Sequence, residues 1–155
     1  MNKINIVAVF CQDIREERDE LISLMGILPD NINVIAQDAV ASTPGMPRLL
    51  SKLCMYVRIH FDPEFDLPEP HMRLVSSSNQ TVQLGKIAAD IVDRAKTEAK
   101  KKGNPLAGVI ARLEVGGLPM RTGALRLEVI LGDEVHLAGA IGLSEVKNEA
   151  TASNG

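Results

Sequence analysis

Strict alternation of apolar and polar residues recurs along this chain, and it confines the fold more than any other feature. Leu53, Met55, Val57, Ile59 and Phe61 alternate with Lys52, Cys54, Tyr56, Arg58 and His60, which puts a core face and a wetter face on opposite sides of one strand. The same period returns in Val109, Ala111, Leu113 and Val115, broken by Gly116-Gly117, and again in Leu125, Leu127, Val129 and Leu131. Gly132-Asp133-Glu134 then turns the chain, and Val135, Leu137, Ile141 and Leu143 come back on alternate positions, so 124–143 reads as a terminal β-hairpin. Gly139 takes the remaining inward place, which predicts a bulge or a close backbone approach there. From Ile4 to Phe10 both alternating sets are apolar, as in a strand buried on both faces.

Elsewhere the period changes or fails. Ile87, Ala88, Ile91, Val92, Ala95 and Ala99 form a helical stripe, and Gly103-Asn104-Pro105 stops it, so one helix is expected at about 86–102. Prolines 63, 68 and 70 exclude Asp62 to His71 from a sheet interior, and Pro44, Gly45 and Pro47 make Asp38 to Arg48 a loop. Short strands fit Ile32 to Ala36, Met72 to Val75 and Thr81 to Leu84. Seven or so strands with one inserted helix describe a mainly β protein: an antiparallel β-sandwich of C2 or immunoglobulin-like type. The alternative is an α+β fold with the helix packed on a curved antiparallel sheet. One domain over 1–143 is expected, with a flexible tail over 144–155.

Composition narrows what such a domain can do. The 155 residues suffice for a self-standing core, which must be aliphatic, because Phe10, Phe61, Phe65 and Tyr56 are the whole aromatic set. That scarcity, with a net charge of -3, disfavours stacking on bases or sugars and repels nucleic acid. Lys100-Lys101-Lys102 ends the expected helix, where cations complement the dipole. Only a cluster in space of Arg58, Arg73, Arg112, Arg121 and Arg126 would restore nucleic-acid binding. No apolar run approaches the roughly 20 residues of a membrane-spanning helix, and Met1 to Cys11 lacks the pattern of a signal peptide. Cys11 and Cys54 match no metal or Cys-x-x-Cys spacing, so buried free thiols and a cytoplasmic location are expected.

Residues 13–27 admit two readings. Asp13 with Glu16 resembles a capping box, Ile14, Leu21, Leu24 and Met25 lie near one helical face, and Gly26 suits a helix end; periodicity therefore favours a helix. Leu21 to Ile27 also suits a short strand after a charged turn. The run Cys11-Gln12-Asp13-Ile14-Arg15-Glu16-Glu17, then Leu21 to Gly26-Ile27 and Leu50 to Ile59, resembles an uncharacterised bacterial family, the domain-of-unknown-function group numbered 6941. Its members open with a strand ending in Cys-Asp-Asp-x-Arg-x-Glu and continue to Leu-x-Leu-x-Gly-Ile. This chain departs at Gln12, where an acid is expected, and at Asp19-Glu20, where a Gly-Lys-like pair is expected. The resemblance implies a strand at Leu21–Ile27, a sandwich, and a bacterial or phage-associated system; it implies no activity.

Two clusters can carry chemistry. Asp13, Arg15 and Glu17 follow a buried strand, where a carboxylate and a guanidinium two residues apart can pair with each other or meet a ligand or partner. His60, Asp62, Glu64 and Asp66, with Glu69 and His71 beyond, supply oxygen and imidazole donors for Ca²⁺ or another divalent metal. Their spacing matches no known metal loop, and no cofactor is predicted. Cys54 and His60 share a strand face about 20 Å apart and cannot form a catalytic pair. With no catalytic constellation visible, the expectation is a non-catalytic interaction or structural module that meets a protein partner or its own copy. A metal-binding or small-ligand-binding protein, hydrolytic in one version, that uses the acidic loop 60–71 is the alternative.

Overall fold

The computed structural model describes residues 4–35, 48–50, 52–120 and 122–146. Two sheets face each other across one aliphatic core, with a single helix closing one side. The first sheet has the order β2-β1-β5-β8 and contains β1 (Ile4–Glu16), β2 (Ile22–Ile27), β5 (Leu53–Phe61) and β8 (Ala107–Val115). The second, ordered β3-β11-β10-β6-β7, contains β3 (Asn31–Ile35), β6 (His71–Ser76), β7 (Thr81–Lys86), β10 (Gly123–Leu131) and β11 (Glu134–Val146). β4 (Arg48–Leu50) and β9 (Leu118–Met120) form a separate two-stranded ribbon. Pairing is antiparallel throughout except where β3 joins β11 in parallel. The sandwich-like, mainly β reading with one inserted helix therefore holds.

The alternating runs supply the core. Phe10, Met55, Val57, Ile59, Phe61 and Val109 from one sheet meet Met72, Leu74, Leu127, Val129 and Ile141 from the other. Each such side chain gives about 1.5–3 kcal/mol on full burial, which is how a chain so poor in aromatics holds two sheets together. The chain crosses from the first sheet to the second through residues 62–70, where Pro63, Leu67 and Pro70 are buried. It returns through α1 (Ala89–Lys102), which packs beside β8 and turns Val92 and Ala99 inward. Gly103 ends α1 in the left-handed conformation, its N–H bonded to Lys100 and that of Asn104 to Ala99. Ile91, assigned by periodicity to the buried stripe, is exposed instead.

β11 contains the bulge foreseen near Gly139, and the bulge overturns part of the predicted core. Leu127 pairs with Gly139 but Glu128 with Leu137, so Ala138 is an extra residue on β11. One inserted residue reverses which side chains face inward. Ile141 and Leu143 stay buried, whereas Val135 and Leu137, expected inside, are 53% and 63% exposed. A close approach accompanies the bulge: a Cβ on Gly139 would lie 3.2 Å from Phe10 Cε2 and 3.4 Å from Ala8 Cβ of the facing strand.

Residues 13–27 form a hairpin, not the helix that periodicity favoured. Ile14 pairs with Leu24 and Glu16 with Ile22, and the charged run becomes the tip. Arg18–Glu20 make one 3-10 turn there, with Asp19 and Glu20 at φ near +60°, and Glu17 N–H bonds to Leu21 O at 2.8 Å. The Asp13 side chain accepts from the neighbouring Ile14 N–H, so it caps no helix. At the other end, β11 continues to Val146, so residues 144–146, expected in the tail, belong to the sheet, and 147–155 lie outside the described residues. The loop expected at 38–48 lies outside the described residues except for Arg48, which opens β4.

Candidate functional site

The β1–β2 hairpin leaves the plane of its sheet and crosses the outer face of β5 and β8. Arg112 on β8 lies opposite Tyr56, which lies opposite Val9 on β1. Glu16 is seven residues beyond Val9, so a straight strand would carry it more than about 20 Å away. Instead Glu16 meets Arg112 at 3.0 Å, and Glu20 lies near enough to Lys102 at the end of α1 to add slightly to the raising of its pKa, which is due mainly to Glu98. The arm also explains the two thiols. Cys11 and Cys54 are direct cross-strand partners on the face away from the core, yet both are buried, because the arm lies over them. Cys54 Sγ donates to Gln12 O at 3.5 Å, and Ile14 shares a small cavity with Cys54, Arg112 and Glu114. Burial pushes both thiols above their usual range; for Cys11 the neighbouring Cys54 adds to it.

Asp13 is the fastening point of the arm. Lys52 Nζ and Arg15 Nε each donate to its carboxylate at 3.0 Å, and Lys52 also reaches Glu114 at 3.5 Å. The bond from Lys52, followed by that from Arg15, holds the Asp13 carboxyl below the usual range, while Asp13 raises the Lys52 ammonium. Of the sequence-derived trio, Asp13 and Arg15 are thus brought together, and Glu17 stands apart at the exposed tip. Lys52, Glu114 and Arg112 are the members that sequence reading missed. They lie 39 or more residues from Asp13 in sequence, just before β5 and on β8, and only the register unites them with the arm.

The acidic loop has a different fate. Asp62 Oδ1 accepts from the Glu64 N–H at 2.9 Å, Glu64 meets Lys100 at 2.8 Å, and Asp66 faces Lys96 at 3.6 Å. The two lysines are one turn apart on α1, so the loop is clamped to the helix by opposite charge. His60 points the other way, onto the outer face of β5, and burial lowers its pKa. His60, Asp62, Glu64 and Asp66 therefore do not converge, and among the described residues no three His, Cys, Asp or Glu side chains gather as metal donors. Glu69 is taken by Lys86 at 2.7 Å, which lowers its pKa.

Of the arginine cluster that would favour nucleic acid, Arg121 lies outside the described residues, and the other four do not assemble. Arg58 and Arg112 lie on the outer face of one sheet, while Arg73 and Arg126 both face Glu128 on the other. No described helix is long and apolar enough to cross a membrane. Compared with known proteins, the chain matches no protein-family model and no curated protein.

Proposed function

We propose that the protein is a non-catalytic interaction module whose partner-facing element is the β1–β2 arm. One observation carries this reading: Leu21, Met25 and Ile27 are 65%, 45% and 64% exposed together, at the start of and along β2, an edge strand of its sheet. An edge strand that shows apolar side chains beside free backbone groups is a template for another chain, and soluble domains normally blunt such edges. The acidic tip with Glu17, Asp19 and Glu20 adds a charge preference for a basic surface. The Asp13–Arg15–Lys52 cluster then has a positioning role, fixing the arm in place. Likeness to the bacterial family numbered 6941 is part of the same proposal, since it rests on the residues of this arm.

A photo-crosslinking side chain placed at Met25 in the source cell tests the reading. One recurrent protein is expected in the crosslinked product, and it should disappear in the double variant Leu21→Glu, Ile27→Glu. Capture no different from that at Val82, on the opposite edge strand β7, would refute the assignment. Capture of the chain itself would make the partner a second copy. Turnover of any substrate that is lost in Asp13→Asn would overturn the non-catalytic part.

A further inference from the structure

A groove of about 440 Å³ runs between α1 and the outer face of β5 and β8, separate from the exposed side of the arm. Its floor carries Arg58 and His60, two residues apart on one face of β5, and its wall is the C-terminal half of α1. Arg58, like Arg18 at the arm's tip, has no ion-pair partner among the described residues, whereas Arg15, Arg73, Arg94, Arg112 and Arg126 each face a carboxylate; of the two, only Arg58 lines a groove. The wall's own carboxylate, Glu98, is already paired with Lys102 one turn on. Gly108 lies opposite His60 in register, and a Cβ there would come within 3.3 Å of His60 Cδ2, so the missing side chain makes room for the imidazole. Pro105 and Leu106 form an apolar lip, with Leu106 53% exposed.

We propose that this groove binds a small organic carboxylate, held by the Arg58 guanidinium with its apolar body against Pro105 and Leu106. A planar guanidinium without a partner is matched bidentately by a carboxylate, and the volume falls within the roughly 300–1,000 Å³ of small-molecule sites. His60 is partly buried, and burial followed by Arg58 lowers its pKa, which favours the neutral imidazole as a hydrogen-bond donor or acceptor. Ala95 and Ala99 keep the helix wall low enough for a ring or short chain to enter.

The test is a titration of the ¹⁵N-labelled full chain with benzoate, alongside benzamide and inorganic phosphate. Benzoate is expected to give saturable shifts at the amides of Arg58, Leu106 and Gly108 and at the His60 ring, at least about tenfold tighter than benzamide. Arg58→Gln, a change at an exposed side chain, should weaken benzoate about tenfold, while Arg126→Gln on the other sheet leaves it unchanged. Gly108→Ala should also weaken it by displacing the imidazole. An equal response to benzamide or to phosphate, or no saturable shift in the groove, would overturn the proposal.

Discussion

β1 and β11 are the two longest of the described strands, each of 13 residues, and each departs once from a regular sheet. β11 departs by a single extra residue, Ala138, inside the sandwich. β1 departs beyond Cys11, where it continues with β2 as an arm across the outside. Inside, the departure is fixed by close packing of Gly139 against Phe10 and Ala8, and its consequence is a change in which side chains are buried. Outside, it is fixed by ion pairs of Asp13 and Glu16 with exposed cations, and its consequence is a sheltered surface. Packing in a core contributes several kcal/mol per side chain, while exposed ion pairs contribute about 0–1 kcal/mol. The bulge should therefore resist perturbation up to global unfolding, and the arm should open first.

The sharpest way to break this comparison is on β11. Ile141→Ala should cost about 3 kcal/mol in urea denaturation, as expected for a large-to-small change at a buried position. Leu137→Ala, four residues earlier and in the same alternating set by sequence, should change stability by no more than about 0.5 kcal/mol. Equal losses would mean that Ala138 is not a bulge. Gly139→Val comes next: the added methyls would enter the contact with Phe10 and Ala8 and should cost about 2 kcal/mol by overpacking.

These positions also show where sequence reading succeeds and where it stops. Alternation in Leu53–Phe61 and Leu125–Leu131 identified strands and core faces, because both faces follow from a period of two. The glycine at 139 announced a bulge, but alternation continued through it placed Val135 and Leu137 inside, since no local signal dates a change of parity. The arm was harder. Its apolar residues fit a helical face as well as a strand, and the deciding facts are contacts with Lys52 and Arg112, remote in sequence. In the candidate site, Asp13 and Arg15 were legible as a local pair, while their counter-ions and the cover over Cys11 and Cys54 were not.

Thiol chemistry sharpens the outer half of the comparison. Cys11 and Cys54 should react slowly with iodoacetamide in the native protein, because both are buried and their pKa values are raised. Glu16→Gln removes the contact with Arg112 and should speed alkylation roughly threefold by local opening, with no measurable loss of global stability. If alkylation instead tracks global unfolding, the arm is part of the core's cooperative unit and the contrast between the two strands fails.

The smallest effect concerns the fastening of the arm. Lys52 and Arg15 hold the Asp13 carboxyl below the ordinary aspartate value, so their pairing stabilises the folded state above that ordinary value, about 3.9, and the benefit is lost as pH falls through the lowered folded value. Ile14 N–H donates to Asp13 Oδ1 at 3.1 Å and reports the titration directly. Its ¹⁵N shift should titrate with a midpoint below that of an unperturbed aspartate. Lys52→Gln, which removes the larger of the two causes, should move the midpoint upward, but not fully back, because Arg15 remains 3.0 Å from the other carboxylate oxygen. A midpoint at the ordinary value in the unaltered protein, or one that Lys52→Gln leaves in place, would show that Asp13 does not fasten the arm.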